Sequence, residues 1–318
     1  MEVLTQAQSP SLDGLEESHF TTKQGEVPFW DHPFLKGSKM LPQKYYPYTT
    51  LEGVLDLYRR RRLDESDFIL LKVLGDAVCA NEDQLRRYMA GIMNRSETSK
   101  RLDRYRTSGL VERWKVRIRG QEETYKPPAP FTLGVAGYKL LKHFYSDNFF
   151  MNADRWDSHG IGGIKRYVAM NELRCQMIEQ KMITKWKWNA IIADNRSIKF
   201  PMGVAEVKTP QGKVNFLIDR AQMNQNFIGY FREKLDTWKW VYEKYGSIPV
   251  SEFADNMSFV VIFTSTLSVA EKIHKELMLD TYPFTTWFCV EEDLVQDGLN
   301  NAFYVPNKEK LKRIKVNF

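Results

Sequence analysis

Cysteine, histidine and long apolar runs are scarce in this sequence, and each shortage excludes a class of protein. Three cysteines in 318 residues, scattered along the chain, are too few for a disulfide framework or a clustered zinc site. Five histidines without a His-x-x-His spacing argue against a zinc enzyme. No apolar run approaches about 18 residues, so no transmembrane helix is expected. The polar, acidic first residues lack an apolar segment, so no signal peptide is expected and a soluble, cytoplasmic protein is predicted.

Apolar content is ample, and the positive charge is unevenly distributed. Hydrophobic residues make up 43% and aromatic residues 13% of the chain, which excludes a disordered protein, and the length suggests two domains. Residues 84–119 contain eleven Lys or Arg and three Asp or Glu, a net charge of +8, whereas the whole chain has +6. A local excess of this kind is typical of a surface that binds a polyanion. Smaller basic clusters lie at residues 59–62 and 308–315.

The pattern of residues 64–109 predicts three successive helices. The first spans residues 64–77, with apolar residues at helical spacing after a cap that is either Asp64 or Ser66. The second begins at Asn81, which is followed by two acidic residues in its first turn. The third spans residues 96–107 and is ended by Gly109.

A basic hairpin is predicted after these helices. Residues 110–118 alternate apolar and basic side chains, which indicates a strand with one buried face. A turn follows at 119–122, then a return strand from residue 124 that prolines interrupt, and then a helix over 135–145. Three helices and a basic hairpin have the layout of a winged helix-turn-helix domain, which is predicted over residues 64–150.

The third helix and the first hairpin strand are basic together, which favours contact with DNA. Ser and Thr hydroxyls at a helix N-terminus bind phosphates, and Arg side chains reach guanine edges. The candidate DNA-binding residues are Arg95, Ser96, Thr98, Ser99, Lys100, Arg101, Arg104, Lys115, Arg117 and Arg119. The alternatives are a solvated basic helix face and a winged helix that makes only protein contacts.

The segments around this domain give weaker signals. Residues 1–63 are predicted to form a loosely ordered N-terminal arm, with a helix over 51–60. Residues 152–163 contain three glycines and are predicted to connect two domains. Their alternative role as a phosphate cradle lacks the Gly-Lys-Ser/Thr signature.

A second domain is predicted over residues 151–318. Helices are expected at 165–182, 224–245 and 268–279, and strands at 186–188, 190–192, 203–208, 213–219, 259–264 and 286–290. This order indicates a mixed sheet with helices on its faces, so the fold class of the chain is α/β (α+β). It is also the layout of restriction-endonuclease-like nucleases, in which an acid and a Glu-x-Lys hold a divalent metal. Glu206 and Lys208 form a Glu-x-Lys, although alternating charges on an exposed strand face explain such a triplet more often.

Four stretches of the chain resemble motifs of one family. They are Leu102-x-x-Tyr105-x-x-Ser108-Gly109-Leu110-Val111, Phe131-Thr132-Leu133-Gly134-x-x-Gly137, His159 with Asn171-Glu172-Leu173, and Phe216-Leu217-Ile218-Asp219-Arg220 with Lys234-Leu235. The chain thereby resembles the replication-relaxation family of bacterial plasmids and other mobile elements, whose members join a winged helix to a nuclease-like domain. The resemblance implies a role in replication, relaxation or transfer of such an element.

The chain departs from the family pattern where a metal site would be. Met202 and Leu217 stand where the family has acids, and neither side chain ligates Mg²⁺ or Mn²⁺ through oxygen. The remaining candidate catalytic residues are Glu172, Glu206, Lys208, Asp219 and Arg220. Asp219 and Arg220 are equally well explained as a structural ion pair, and His159 as a linker histidine. The second domain is therefore expected to be inactive and to bind no cofactor, with Mg²⁺ or Mn²⁺ needed only if it cleaves DNA.

Taken together, these patterns predict a duplex DNA-binding protein with its third helix in the major groove. The expected partners are double-stranded DNA, other replication or transfer proteins and a second copy of the chain, with no membrane. A metal-dependent DNA nickase or nuclease and a winged-helix transcriptional regulator remain open as alternatives. Exposed tryptophans would favour a stacking platform for single-stranded DNA, whereas tryptophans are more often found in the core.

Overall fold

The computed structural model describes residues 21–120, 127–222, 226–308 and 310–317, and it shows a mixed α and β chain with two sheets. The helices are α1 (Leu51–Arg59), α2 (Glu65–Ala77), α3 (Glu82–Tyr88), α4 (Arg95–Thr107), α5 (Val135–Phe144), α6 (Trp156–Glu179), α7 (Phe227–Tyr245), α8 (Leu267–Leu277) and α9 (Glu291–Gln296). The strands are β1 (Leu35–Lys39), β2 (Cys79–Asn81), β3 (Val111–Ile118), β4 (Pro130–Leu133), β5 (Ile183–Trp188), β6 (Gly203–Thr209), β7 (Gly212–Arg220), β8 (Ser258–Thr264), β9 (Thr286–Val290), β10 (Phe303–Asn307) and β11 (Lys310–Ile314). Within these ranges no helix is long and apolar enough to cross a bilayer. All three cysteines are free and buried.

The smaller sheet has four antiparallel strands in the order β1-β3-β4-β2. Helices α1 to α5 surround a core that includes Leu71, Leu102 and Leu140. The predicted helices of this half are confirmed, with ends that differ by one or two residues. Asp64 and Asn81 are N-caps as predicted, and each forms a reciprocal capping box with the residue three positions later.

Strand β1 is the feature of this half that the sequence does not indicate. Its residues Leu-Lys-Gly-Ser-Lys have a single buried apolar side chain, Leu35, so they show no apolar alternation. The strand nevertheless pairs with β3 along its whole length. The return strand predicted from residue 124 begins outside the described residues, and β4 instead pairs with both β3 and β2.

The larger sheet has seven strands in the order β11-β10-β9-β8-β7-β6-β5. Strands β7, β8 and β9 are parallel neighbours, because α7 and α8 provide the crossovers that parallel strands require. Both helices pack on the same face, in a core that includes Leu217, Phe231 and Ile273. Strands β5 to β9 confirm the predicted ones, whereas α9, β10 and β11 extend the fold beyond the predicted elements.

The strand predicted at residues 190–192 is wrong. Ile192 makes only isolated bridges, to Asn195 and Val250. Ala193 and Asp194 both have positive φ values, 50° and 51°, so the chain turns where a strand would continue.

Helix α6 lies between the two sheets and is buried on both sides. One core cluster contains Trp114 and Val116 of the smaller sheet, Tyr167 and Met177 of α6, and Ile218 of the larger sheet. Most side chains between Tyr167 and Met177 are buried, whereas both ends of the helix carry exposed residues. The two halves of the chain therefore share apolar packing through this helix.

The connection predicted over residues 152–163 is helical over most of its length. A 3-10 turn spans Ala153–Arg155, and α6 begins at Trp156. The Trp156 side chain is fully buried, which fixes the start of the helix. Gly160, at φ 49° and ψ −150°, bends the helix in its first turns, a conformation that glycine adopts without a Cβ clash.

The first described residues contact α9 and the smaller sheet. The Lys23 amide donates to Glu292 Oε2 at 3.0 Å, and its Nζ lies 2.6 Å from Asp293 Oδ1. A few residues later, β1 joins the smaller sheet. The amino-terminal segment, residues 21–39, thus contacts both halves of the protein.

A buried amide of α6 fastens the helix to the smaller sheet. Asn171 is fully buried, and its Nδ2 lies 2.9 Å from the Ala77 carbonyl, 2.8 Å from the Cys79 carbonyl and 2.9 Å from the Tyr167 carbonyl. Its Oδ1 accepts the Tyr88 hydroxyl at 2.7 Å. Because unpaired buried polar groups are costly, this amide fixes α6 against the connection between α2 and β2.

We expect Asn171→Ala to lower the free energy of unfolding by at least about 2 kcal/mol, because each buried group left unsatisfied costs about 1–3 kcal/mol. Gln180→Ala, at the exposed end of the same helix, should change it by less than about 0.5 kcal/mol. Urea unfolding followed by far-ultraviolet circular dichroism measures both. Equal midpoints for the two variants would contradict the role given to Asn171.

Candidate nucleic-acid interface

Helix α4 is positioned by its N-cap and by its buried side. The Asn94 side chain accepts a hydrogen bond from the Glu97 amide at 2.8 Å, which satisfies one free N–H of the first turn. Leu102 and Tyr105 are buried in the core. The exposed side of the helix consists of Ser96, Lys100, Asp103 and Arg104.

Three predicted DNA-binding residues of α4 are engaged within the protein. Thr98 is fully buried, and its hydroxyl donates to a carbonyl of the preceding turn, so the prediction of a DNA contact is wrong for this residue. Ser99 Oγ accepts hydrogen bonds from Arg86 Nε at 2.9 Å and Nη2 at 2.6 Å. Arg95, which is largely exposed, forms an ion pair with Asp83.

Arg101 also has a structural role, because it binds three carboxylates. Its Nη1 lies 2.8 Å from Asp64 Oδ1 and contacts Asp67, and its Nη2 lies 2.7 Å from Glu97 Oε1. Hydrogen bonds from Arg101 hold the pKa of Asp64 below its usual value. The guanidinium thus ties α4 to the N-cap of α2.

Asp67 is the buried centre of this network. Its side chain is 1% exposed, and it accepts hydrogen bonds from the Tyr105 hydroxyl and from Arg104 Nη2, the latter at 2.6 Å. Burial and the neighbouring carboxylate raise the pKa of Tyr105. Arg104 remains about half exposed, so its free edge is open to solvent.

The exposed face of β3 carries the other predicted residues, Lys115, Arg117 and Arg119. The opposite face is buried, and there Trp114 Nε1 donates to Thr132 Oγ1 at 3.1 Å. Strand β1 supplies the partner of β3, so this exposed surface is a two-stranded ribbon, which we call the β1–β3 ribbon.

The register of the β1–β3 ribbon places positive charges opposite each other. Lys36 of β1 faces Arg117, and Ser38 faces Lys115. Directly opposed residues of an antiparallel pair lie on the same face of a sheet. Lys36 therefore joins the basic surface, although nothing in the sequence around it signals a strand.

Much of the positive charge of residues 84–119 is neutralised by ion pairs, so less of it is available to a partner than the sequence suggests. Six of its eleven bases pair with carboxylates, most of which come from outside this stretch. They are Arg86, Arg87, Arg95, Arg101, Arg104 and Arg106. Across the described ranges, Lys100, Lys115 and Arg119 form no salt bridge. Lys115 and Arg119 therefore leave uncompensated positive charge at the β1–β3 ribbon, and Lys100 does so on α4.

Glu172, the first candidate catalytic residue, faces α3 from α6. Both of its carboxylate oxygens accept from Arg87 Nη1, at 2.7 and 2.8 Å. Gln84 Nε2 donates to the same carboxylate at 3.3 Å. These contacts join α3 to α6 and place Glu172 away from the strands that carry the other candidates.

Glu206 and Lys208 lie on β6. The Glu206 carboxylate is mostly buried, and hydrogen bonds from Lys213, at 2.7 Å, and from Thr184 hold its pKa below the usual value. Lys208 is exposed. The carboxylate is thus already bound to an ammonium group of the next strand.

Asp219 and Arg220 do not pair with each other, so the suggested ion pair between them is wrong. Adjacent strand residues point to opposite faces. Asp219 forms a buried ion pair with Lys234 of α7. Arg220 Nη2 lies 2.5 Å from Glu291 Oε2 and 3.8 Å from Asp31 Oδ2.

The candidate catalytic side chains are dispersed and do not fit a divalent metal. Glu206 is opposite Asn215, and Asp219 lies four residues further along β7, which corresponds to roughly 13 Å. Among the residues described here, no group of three or more His, Cys, Asp or Glu is arranged to hold a metal. Met202 and Leu217 are both buried in the core.

The remaining singled-out side chains are mainly structural. His159 lies beside Trp156, with ring centroids 6.0 Å apart, and burial lowers its pKa. Trp238 is buried, as expected of a core tryptophan. Trp240 is 53% exposed, with Lys244 Nζ 5.2 Å from the centre of its ring. One exposed tryptophan of α7 is too little for a stacking platform.

No protein-family model, no curated protein and no solved structure matches this chain. The resemblance to the replication-relaxation family therefore stays a prediction. The function proposed for this chain therefore rests on the residues and contacts described above.

We expect Arg101→Gln to destabilise the protein most at neutral pH. Asp64 has a lowered pKa in the folded protein, so its contribution is present above its unfolded pKa of about 3.9 and is lost as the pH falls through the folded value. The difference in unfolding temperature between wild type and variant should shrink below about pH 4. Thermal unfolding between pH 7 and pH 2 measures it.

Arg95→Gln is the matched control, because the Arg95–Asp83 pair is largely exposed and exposed pairs contribute about 0–1 kcal/mol. Its unfolding temperature should stay close to that of the wild type throughout the range. A pH-independent difference for Arg101→Gln would show that the carboxylates do not mediate its effect.

We expect Lys234→Met to lower the free energy of unfolding by about 3–5 kcal/mol, because it leaves the Asp219 carboxylate buried without a cation. Adding Asp219→Leu should restore much of that loss. Lys244→Met, exposed on the same helix, should have little effect. Chemical denaturation measures the free energy of unfolding of the three variants. A double variant less stable than Lys234→Met would contradict the role given to the Asp219–Lys234 pair.

Proposed function

We propose that the part of the chain from α2 to α5, with β1, is a winged helix that binds double-stranded DNA. The observation that carries this proposal is the β1–β3 ribbon, where Lys36 and Lys115 are exposed on one face and Arg119 directly follows β3. Positive charges gathered on one face repel each other. A phosphate backbone along the ribbon would relieve this repulsion.

The order of the elements supports the winged-helix assignment. A helix, a short strand and two further helices, α2-β2-α3-α4, precede the strands β3 and β4. Strand β4 lies between β2 and β3, so the first strand closes the sheet beside the last. In a winged helix the last of the three helices faces the major groove and the β-ribbon lies beside it.

The exposed side of α4 is the base-reading surface in this proposal. Lys100 and the free edge of Arg104 point outward, with Ser96 at the N-terminal end. Arg101 and Ser99 hold the helix in place through their contacts inside the protein, and Arg95 pairs with Asp83 at the surface. Phosphate contacts from the β1–β3 ribbon supply most of the affinity, and α4 supplies the selectivity.

The second half is proposed to be a nuclease-like domain that has no catalytic role. Each of its candidate carboxylates is bound to a Lys or Arg side chain. Through α6 it holds the DNA-binding unit rigidly and offers surfaces for replication or transfer proteins or for a second copy of the chain. Replication, relaxation or transfer of a plasmid or mobile element is the setting that the sequence resemblance suggests.

We expect the double variant Lys115→Gln, Arg119→Gln to weaken duplex binding and to reduce its salt dependence. Each lost phosphate contact lowers the slope of log K against log salt by about 0.9, so a change of about 1.8 is expected. Fluorescence anisotropy with a labelled 20-base-pair duplex at several salt concentrations measures it.

The matched control is Lys244→Gln, Lys275→Gln, which removes two exposed charges from α7 and α8. Its slope should equal that of the wild type. An equal loss in both double variants would mean that net charge alone drives binding. Absence of duplex binding by the wild type at low salt would refute the proposal.

A further inference from the structure

A preformed cavity of about 300 Å³ lies at the C-terminal end of α4. Its floor is apolar, formed by the buried side chains of Leu57, Leu63 and Leu110. Tyr46 and Tyr48 form one wall. The volume is at the lower end of the range for small-molecule sites, roughly 300–1,000 Å³.

The rim of the cavity is basic. Arg104 of α4 lines it with a guanidinium whose one edge binds Asp67 and whose other edge is free. Arg62 lines it from the end of α1 and is exposed. In the described part of the chain the Arg62 side chain has no hydrogen bond or ion pair. Arg62 and the outer edge of Arg104 are therefore available to bind an anion.

The backbone of the cavity is fixed before any ligand binds. The Tyr46 amide donates to the Thr107 carbonyl at 2.8 Å, and the Tyr48 amide to the Ser108 carbonyl at 3.1 Å. On the other side, the chain reverses after α1 through Arg61, which has φ 53°. Glycine is preferred in that conformation, so an arginine there indicates that the surrounding contacts impose the turn that places Arg62.

Two hydroxyl groups complete the lining with acceptor oxygens. Thr107 Oγ1 donates to the Arg104 carbonyl at 2.8 Å, and Ser108 Oγ donates to the Tyr105 carbonyl at 3.1 Å. Their protons are thus used within the helix, and their lone pairs remain as acceptors for a ligand that donates. The exocyclic amino group of a nucleobase is such a donor.

We propose that this cavity binds a nucleotide, with its base against Tyr46 and its phosphate on Arg62 and Arg104. An aromatic wall, an apolar floor and acceptor hydroxyls suit a base, and stacking on tyrosine tolerates any base. Arginine forks bind phosphate oxygens bidentately. The nucleotide is either an unpaired residue of a DNA strand or a free nucleotide, and only the first source rests on the proposed DNA-binding function.

The experiment measures two ligands on the full-length chain. Deoxyadenosine monophosphate is titrated by calorimetry, with inorganic phosphate as the comparison. A labelled 20-base-pair duplex, fully paired or with one unpaired deoxyadenosine, is titrated by fluorescence anisotropy. We expect Tyr46→Ala and Arg62→Gln each to weaken nucleotide binding at least about five-fold, the lower limit for losing one stacked base.

Two matched controls separate the cavity from general charge and aromatic content. Arg59→Gln removes an exposed arginine three residues away that does not line the cavity, and Tyr245→Ala removes an exposed tyrosine of α7. Both should bind nucleotide as the wild type does. An equal effect of Arg59→Gln and Arg62→Gln would overturn the proposal.

The remaining outcomes distinguish the two sources. Tighter binding of the duplex with the unpaired residue, lost in Tyr46→Ala, identifies a strand nucleotide. Binding of the monophosphate alone, with the same variant pattern, identifies a free nucleotide. If neither ligand is preferred over phosphate or the paired duplex, the cavity proposal fails while binding of the paired duplex still supports the proposed function. Nucleotide binding without any duplex binding refutes the proposed function and leaves the cavity proposal intact.

Discussion

The architecture depends on the burial of α6 between two sheets. A helix with apolar neighbours on both sides must still accommodate its polar residues, and Asn171 does so by bonding to carbonyls of the α2–β2 connection. On the same side, Arg174 contacts the rings of Tyr88 and Trp188. Polar groups that are satisfied only in one arrangement specify that arrangement. The proposed DNA-binding unit is therefore attached in one orientation to the larger sheet.

The basic side chains fall into two groups. Those of the first group form ion pairs within the protein, and those of the second group are exposed to solvent. Most basic side chains of α4 form ion pairs within the protein, and the central pair joins Arg101 to Asp67. These ion pairs position the helix, so its placement needs no partner on the exposed side. The β1–β3 ribbon has the opposite character, since Lys115 and Arg119 form no salt bridge with the described residues. In the proposed function, binding energy and helix placement thus come from different residues, so each can be altered separately.

Local sequence signals predict most of the helices and strands. Features that depend on contacts between residues far apart in the chain cannot be predicted in this way. Caps such as Asp64 and Asn81 are readable because capping is a contact between near neighbours. Strand β1 is not readable, because its pairing with β3 is decided by a partner far along the chain. The counter-charges of Arg101 and Asp219 are distant in the same way, so the sequence shows them as free functional groups. The start of α6 at Trp156 was not predicted, because the glycines that follow it favoured a connection between domains over a helix.

The amino-terminal segment has an unusual position in the order of synthesis. The Lys23 side chain binds Asp293, which lies 270 positions later in the chain. Leu35 of β1 pairs with Ile118 of β3. Synthesis proceeds from the amino terminus, and contacts between distant residues form slowly. Strand β1 can pair as soon as β3 has been made, whereas Lys23 has no partner until α9 has been made. One short segment is thus joined to the protein at two different times, to the smaller sheet early and to α9 late.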